Sequence, residues 1–286
     1  MNQHYSFAYF GTPKVSSDTL EKLIANNFIP AIIVTSPDAP KGRGLALMPS
    51  EVKTLASAYH IPIFTPEALD AKTITAIQAK KCDYAIVVAY GKIFPVGLID
   101  IFPKGVLNVH YSLLPKYRGA TPLESALLAD DPTTGVTVQK MSREVDAGDI
   151  LAQEATPIGP TETARELRPR LIALGAQLLV DTLPKYLSGD IMPFHQDHSF
   201  ASHTKKIQKE DGLLSLNAPA EENWNKYRAY ADSIGTYFIN PPADGGKRMK
   251  IIKASLKNLP GGKAGGKFIV ERVIPEGKHE MDFVSQ

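Results

Sequence analysis

Two polar side chains at the carboxyl end of a predicted strand offer the clearest chemistry in this sequence. Residues 105–110 read GVLNVH, and in an extended chain Asn108 and His110 point to the same side. An amide keeps a neutral N–H donor at every pH, and an imidazole exchanges a proton near neutral pH. Such a pair could stabilise negative charge and move a proton. The alternative is structural, with Asn108 capping the strand and His110 satisfied in the core.

A second polar cluster, REVDAGD at residues 143–149, also follows a predicted strand. It supplies the carboxylates of Glu144, Asp146 and Asp149. In open α/β sheets, ligands bind beyond the carboxyl ends of the strands, so this cluster is a second candidate for the same site. The alternative interpretation is a solvated turn with an Asp-Ala-Gly bend.

Several common motifs of catalysis and binding are missing. Gly11-Thr12-Pro13 stands in the first βα turn, where a dinucleotide-binding protein would place G-x-G-x-x-G. The sequence has no phosphate-binding loop of the G-x-x-x-x-G-K-[ST] type, no G-x-S-x-G and no H-E-x-x-H. His195, His198 and His203 could be grouped as metal ligands, but their segment is typical of a linker, and we expect no metal. Cys82 begins an apolar strand and is expected to fill the core.

The elements that must position these residues alternate between strand-like and helix-like patterns. Apolar runs predict strands at residues 5–10, 29–35, 83–89, 105–110 and 135–141, and amphipathic helix patterns lie between them. Residues 36–50 are rich in Gly, Pro and Lys and are expected to be loop. Residues 163–187 predict a long helix, interrupted or kinked near Pro169 and ending at Pro184 or Gly189. This rhythm predicts an α/β fold with a doubly wound, mainly parallel sheet.

The pattern changes after Ile191. Residues 191–206 are polar without a clear period and are expected to link two domains. Short strand-like pieces and Gly/Pro turns then predict a second, smaller β-rich domain, an open barrel resembling an OB fold. We therefore expect domains at residues 1–190 and 207–286.

Composition narrows the class of protein further. The 286 residues are 43% hydrophobic and 22% charged, with a formal net charge of +2, which is typical of a globular protein. No apolar run is long enough to cross a bilayer, no export signal is evident, and the one cysteine fits a reducing compartment, so we expect a cytoplasmic protein and a monomer. Residues 247–278 hold nine basic and two acidic residues, which suits a polyanionic partner, although a solvated basic face is the simpler alternative.

Together, the motifs resemble a known family. The matching motifs, in order, are Phe10-Gly11-Thr12-Pro13, Asn108-x-His110, Ser112-Leu113-Leu114-Pro115, Tyr117-Arg118-Gly119, Thr134-Gly135-Val136-Thr137 and Asp146-x-Gly148-Asp149. They resemble the 10-formyltetrahydrofolate-dependent formyltransferases over nearly all of residues 5–190, and the similarity becomes thin beyond about residue 212. Tyr111 stands where the family usually has Pro, and the second domain looks shorter than the family's.

The resemblance implies formyl transfer through a tetrahedral intermediate, with Asn108, His110 and Asp146 as the catalytic set. Asn108 would donate to the developing oxyanion, His110 would manage a proton, and Asp146 would orient the imidazole and could take the proton of the attacking amine. It also implies a folate site. Its expected residues are Val88, Ala89, Tyr90, Gly91, Ile93, Ser112, Leu113, Leu114, Pro115 and Asp146.

The loop that begins Lys41-Gly42-Arg43-Gly44 is similar to the family's insertion that reaches the acceptor end of tRNA. The resemblance therefore implies methionyl-initiator tRNA as the formyl acceptor. The expected tRNA-binding residues are Lys41, Arg43, Lys247, Arg248 and Lys250. Two alternatives remain: a formyltransferase acting on an amino-sugar nucleotide or another small amine, and a folate- or RNA-binding protein without catalysis.

Overall fold

A computed structural model describes residues 5–42, 45–240, 246–257 and 266–283. The chain divides into two compact units. The first comprises residues 1–119, 135–155 and 170–203, and the second comprises residues 120–134, 156–169 and 204–286. Within the described residues, no helix combines the length and apolar character that crossing a membrane requires.

The first unit is built on a sheet of seven strands. In chain order, its strands and those of a short hairpin are β1 (Phe7–Gly11), β2 (Ile32–Val34), β3 (Ala39–Lys41), β4 (Ala46–Met48), β5 (Ile63–Phe64), β6 (Tyr84–Val88), β7 (Val106–His110), β8 (Thr133–Lys140) and β9 (Ile150–Pro157). The helices up to β9 are α1 (Lys14–Ala25), α2 (Glu51–Ala58), α3 (Ala71–Gln78), α4 (Val96–Ile99) and α5 (Pro122–Leu128), and α6 (Ala164–Ser188) follows it. Helix α5 and residues 164–169 of α6 belong to the second unit.

The large sheet has the order β5-β2-β1-β6-β7-β8-β9. The strands from β5 to β7 pair in parallel, whereas β8 pairs antiparallel with β7. All residues of β1 and β6 are buried, as expected for central strands covered by helices on both faces. The carboxyl ends of β6 and β7 therefore lie side by side at one edge of the sheet.

The second unit contains an antiparallel sheet of four strands. After α7 (Ala220–Tyr230), its strands β10 (Tyr237–Asn240), β11 (Lys247–Lys257), β12 (Lys267–Pro275) and β13 (Met281–Asp282) pair in chain order. Apolar side chains from β10, β11 and β12 form its core together with Leu214. Buried Arg228 of α7 donates to Asp130 at 2.7 Å, and Arg168 bridges Glu124 and Asp232, so charged pairs also hold this unit.

The structure confirms the predicted fold class, a mainly parallel doubly wound sheet with a smaller antiparallel β-rich domain. Some local predictions are wrong. Residues 39–41 and 46–48 pair as strands β3 and β4 rather than forming loop, α6 continues through Pro169 and Pro184 without interruption, and helix α7 lies in the segment that we expected to be β-rich. Helix α6 ends at Ser188, just before Gly189, whose φ of +85° suits the end of a helix.

Candidate active site

Strand β7 and the turn after β8 bring three candidate residues together. Asn108 and His110 lie on one face of β7, and Asp146 comes from the polar turn that follows β8. Asn108 Nδ2 lies 3.4 Å from Asp146 Oδ1, and His110 Nδ1 lies 3.5 Å from Asp146 Oδ2. The His110 side chain is 6% exposed and the Asp146 side chain 14%. The expected set is therefore a cluster of amide, imidazole and carboxylate around one carboxyl group.

The Asp146 carboxylate is held by donors on both of its oxygens. Gln139 Nε2 donates to Oδ1 at 2.8 Å, and the backbone N–H of Gly119 donates to Oδ2 at 2.8 Å. Asp146 itself has a φ of +52°, a conformation that Asp tolerates better than most residues. These two hydrogen bonds fix the direction of the carboxylate.

The His110 ring is oriented by a backbone carbonyl. His110 Nε2 lies 3.0 Å from the Tyr117 oxygen, and because a carbonyl oxygen only accepts, the proton of the neutral ring lies on Nε2. Nδ1 is then left as the nitrogen that faces Asp146. A proton taken up at Nδ1 would meet a carboxylate 3.5 Å away. The arrangement can therefore accept a proton inside the site and balance its charge.

Gln139 is a site residue that the sequence analysis missed. The antiparallel register of β7 and β8 places it directly opposite Asn108, and it is 1% exposed. Because Asp146 Oδ1 can only accept, the near atom of the Gln139 amide is its nitrogen. Gln139 Oε1 then has no hydrogen-bond partner among the described residues. Residue 139 lies in a strand that the sequence predicts, but the residue it faces depends on the direction and register of β8, which the sequence analysis did not establish.

Buried Arg118 supports the turn that carries Asp146. Its Nε and Nη2 donate to Gln196 Oε1 at 3.2 and 2.8 Å, and Gln196 Nε2 donates to the backbone oxygens of Asp146 and Gly148 at 2.9 and 2.7 Å. Arg118 Nη2 also lies 3.0 Å from His198 Nδ1. A segment that we expected to be linker thus contributes Gln196 and His198 to ordered contacts in the first unit.

Gly148 allows the same turn to lie against β8. A Cβ at this position would be 1.9 Å from the Lys140 oxygen, which no side chain could accept without movement of the backbone. The Asp-x-Gly spacing therefore has a steric reason: residue 146 provides the carboxylate, and residue 148 provides the close approach that aims it.

The loop after β7 is fixed by Thr137, which pairs with His110 across the strands. Thr137 Oγ1 donates to the Ser112 oxygen at 2.7 Å and accepts from Leu114 N at 3.1 Å. Gln153 Nε2 donates to Thr137 Oγ1 and to the Leu114 oxygen at 2.9 and 2.8 Å. The expected folate residues Ser112 to Pro115 are therefore held beside His110 by a buried hydroxyl.

The other expected folate residues follow β6, which pairs in parallel with β7. Val88 is the last residue of β6, Ala89 and Gly91 have positive φ, and Ile93 is 87% exposed. Tyr90 is buried, and its hydroxyl has no partner among the described residues. Burial raises the pKa of Tyr90 to about 12, so this hydroxyl stays protonated and able to donate at neutral pH.

The expected tRNA-binding residues fall in two places. Lys41 lies on β3, where its Nζ is 3.0 Å from Glu51 Oε1, and the neighbouring Leu45 and Leu47 are more than two-thirds exposed. Arg43 lies outside the described residues. Lys247, Arg248 and Lys250 are exposed on β11, and the Arg248 guanidinium lies 3.8 Å from the centre of the Tyr237 ring.

Two of the three histidines considered as metal ligands, His195 and His198, have different side-chain partners. His195 Nδ1 pairs with Asp149 Oδ1 at 2.6 Å, and His198 contacts Arg118. Over the described part of the chain, no group of three or more His, Cys, Asp or Glu could hold a metal ion.

Comparisons with known proteins agree with this fold. The family described as "Formyl transferase" matches residues 5–183, and the one described as "Formyl transferase, C-terminal domain" matches residues 206–282. The chain belongs to the formyl transferase family, as its motifs predicted.

Several curated relatives are named methionyl-tRNA formyltransferase. A methionyl-tRNA formyltransferase from Chloroflexus aurantiacus is 38% identical over 262 residues, covering 91% of this chain and 83% of the relative. Another, from Thermotoga maritima, is 39% identical over 228 residues, covering 79% and 73%.

Two solved structures share the fold. An N-formyltransferase from Helicobacter canadensis, in complex with folinic acid and dTDP-3-aminofucose, has a TM-score of 0.72 at 20% identity and covers 99% of this chain and 100% of its own. A phosphoribosylglycinamide formyltransferase from Bacillus halodurans has a TM-score of 0.55 at 24% identity and covers 65% and 96%.

Proposed function

We propose that this protein transfers the formyl group of 10-formyltetrahydrofolate to the α-amino group of methionyl-initiator tRNA, for translation initiation. The convergence of Asn108 and His110 on the Asp146 carboxylate, at 3.4 and 3.5 Å, is the observation that carries the proposal. The shared name of the curated relatives, methionyl-tRNA formyltransferase, supports the choice of acceptor.

The roles of the three side chains follow from the demands of the reaction. Attack of an amine on a formamide carbon places negative charge on the carbonyl oxygen and leaves a proton to be removed from nitrogen. The neutral Asn108 amide and a protonated His110 can each donate to that oxygen. Asp146 orients His110 and can accept the amine proton, directly or through water, and Gln139 and Gly119 fix the direction of its carboxylate.

The folate would be held by the two loops that follow β6 and β7. Its flat pterin suits an apolar slot with polar edges, and Val88 to Gly91 with Ile93 offer both, together with the unpartnered Tyr90 hydroxyl. Ser112 to Pro115 would shape the site beside the formyl group. Thr137 and Gln153, which bond this second loop, would keep it in place when the folate leaves.

For tRNA, we propose contacts from Lys41 and Arg43 and from the exposed cations of β11, with residues 207–286 as the tRNA-contacting domain, residues 1–190 as the catalytic domain and residues 191–206 as the connection. Lys and Arg contacts to phosphates release counterions and make binding depend on salt. We also propose a cytosolic monomer. Cys82 is buried and unpaired, which suits a reducing compartment, and all three catalytic candidates come from one chain.

The test is an assay of N-formyl product with 10-formyltetrahydrofolate and methionyl-initiator tRNA, run beside assays with amino-sugar nucleotides and other small amines. His110→Ala and Asp146→Asn should each lower kcat by about 10²–10³, as removal of one stabilising group does elsewhere. The matched control is Asp149→Asn, an exposed acid of the same turn that pairs with His195. Formylation of small amines alone would overturn the proposed acceptor, and near-normal rates in both variants would overturn the catalytic set.

A further inference from the structure

A cavity of about 480 Å³ lies entirely within the second unit. It is formed by the start of α6, the end of α7 with the turn after it, and the middle of β11. The residues on which its chemistry depends are Arg165, Tyr227, Asp232, Thr236, Lys250 and Ile251. The volume is within the range of small-molecule sites, which is roughly 300–1,000 Å³.

The cavity lining holds two acids, Glu166 and Asp232, and two cations, Arg165 and Lys250, and the acids and cations differ in how far they are already engaged. Asp232 accepts from Arg168 Nε at 2.7 Å, and Glu166 accepts from the backbone N–H and the hydroxyl of Thr163 at 2.8 and 2.9 Å, so both acids are engaged. Arg165 donates only to the backbone oxygen of Ala231, and neither Arg165 nor Lys250 has a carboxylate partner among the described residues. Two cations are thus free to face an anion.

A buried hydroxyl in the lining also lacks a partner. Thr236 is 2% exposed, and its Oγ1 makes no hydrogen bond within the described residues. Leaving a buried polar group unsatisfied costs on the order of 1–3 kcal/mol, so such a group in a cavity wall points to a polar atom that binds there. Ile251 and the half-buried Tyr227 supply an apolar wall beside it.

We propose that this cavity binds an organic phosphate of mononucleotide size. Arg165 and Lys250 contact its phosphate, Thr236 bonds a polar atom of its buried part, and the wall of Tyr227 and Ile251 receives its flat or apolar part. The same chemistry is offered by a free nucleotide and by one nucleotide of an RNA strand. The second source rests on the proposed action on tRNA, whereas the first does not.

The experiment measures binding to the full chain by calorimetry, using adenosine 5′-monophosphate, adenosine, inorganic phosphate and a single-stranded RNA oligonucleotide as probes. We expect Arg165→Gln and Lys250→Gln each to weaken binding of the phosphorylated probes about tenfold, and Thr236→Val to weaken it several-fold. Thr236→Val keeps the volume and removes a hydroxyl without a partner, so the thermal midpoint should not fall. The matched control is Lys257→Gln, which removes a cation from the same strand outside the cavity.

The choice of probes distinguishes a free nucleotide from one nucleotide of an RNA strand. Mononucleotide binding that is weakened by Arg165→Gln and Lys250→Gln identifies a free-nucleotide site, and weakening by both substitutions with the oligonucleotide alone identifies a strand-binding site. Adenosine binding as tightly as its monophosphate, or Lys250→Gln and Thr236→Val behaving like Lys257→Gln with every probe, would overturn the proposal. His110→Ala should leave this binding unchanged, so a failure of the formyl-transfer proposal is measured separately.

Discussion

Gln139 donates to Asp146 Oδ1 at 2.8 Å from the strand position directly opposite Asn108. The buried amide of Gln139 therefore fixes the Asp146 carboxylate and lies beside the Asn108 amide. Its own oxygen has no partner in the described part of the chain, so its orientation depends on the bond to Asp146.

Gln139→Glu should shift the acid limb of the rate profile to higher pH. The substitution sets a second carboxyl group against Asp146, and two adjacent carboxyls share a proton that neither would hold alone. The set then needs a higher pH to become fully ionised, so kcat at pH 7 falls and recovers as the pH rises. Gln139→Met, which keeps the size and removes the donor, should lower kcat about tenfold without this recovery.

The chain offers a matched control for that charge change. Gln177 donates to Asp181 at 2.8 Å on the exposed surface of α6, so Gln177→Glu sets the same two groups together away from the site. Its pH–rate profile should follow that of the natural protein. An unshifted profile in Gln139→Glu would show that Asp146 does not depend on Gln139.

Arg118→Lys should lower both stability and activity. Lysine cannot reproduce the paired donation of Nε and Nη2 to Gln196 or the contact with His198, and buried acceptors left unmet cost about 1–3 kcal/mol. Because Gln196 holds the backbone of Asp146, kcat should fall more than the KM for folate changes. Exposed Arg143, in the same turn, provides the control substitution Arg143→Lys, and equal effects in the two variants would remove the special role of Arg118.

Gly148→Ala should disrupt the Asp146 turn. The added methyl would overlap the Lys140 oxygen, and relief of such crowding typically costs about 1–3 kcal/mol. We expect the melting temperature to fall by several degrees and kcat to fall with it. Gly97→Ala in α4, where the nearest atom would be 3.9 Å away, is the control and should leave both unchanged. A normal kcat in Gly148→Ala would show that the turn tolerates displacement.

Tyr90→Phe should weaken folate binding and stabilise the free protein. Removing a buried hydroxyl without a partner relieves a desolvation cost, while the bound folate loses a donor, so the KM for folate should rise several-fold. The free energy of unfolding, measured by urea titration, should rise. A decrease in that free energy would mean that the hydroxyl is satisfied in the free protein.

The same variant carries a prediction for alkaline pH. Burial raises the pKa of Tyr90 to about 12, above the usual value near 10, so the folded state retains this proton longer than the unfolded state. The titration of Tyr90 therefore does not change the free energy of unfolding below about pH 10, and it lowers that free energy as the pH rises from 10 toward 12. Tyr90→Phe should therefore lose less stability between pH 10 and 12 than the natural protein does.

Arg43→Ala should weaken the use of charged tRNA far more than the binding of folate. Loss of one phosphate contact reduces the dependence of tRNA binding on salt by about one unit of log slope. Lys72→Ala, a lysine of α3 outside every proposed site, is the control. Equal losses for tRNA and folate in Arg43→Ala would assign this residue to structure.

The sheet could be predicted because its strands are continuous apolar runs. The convergence of residues 108, 110 and 146 could be predicted because they lie at the ends of strands or after them and match family motifs. Strands β3 and β4 gave no such signal, since all six of their residues are exposed and their burial does not alternate. Helix α7 was hidden for the opposite reason. Its buried residues include Asn223, Asn225 and Arg228, so polar side chains occupy buried positions that are apolar in a typical amphipathic helix.

Two further features depend on three-dimensional context. The role of Gln139 requires the reversed direction of β8, and a rhythm of strands and helices that predicts a mainly parallel sheet does not show which strand is reversed. The continuity of α6 through Pro169 and Pro184 depends on its buried leucines, among them Leu167, Leu171 and Leu183, which hold the helix together where its own hydrogen bonds are interrupted.

The opposed direction of β7 and β8 restricts how this region can change length. A single residue inserted near the start of β8 would turn the side chain at position 139 to the other face of the sheet and bring Val138 opposite Asn108. The strands could still pair, but every side chain of β8 would change face, and the carboxylate would lose its amide. An insertion of two residues would keep each side chain on its own face but would bring Thr137 opposite Asn108, so the pairing of residues 108 and 139 fixes the length of the chain before it.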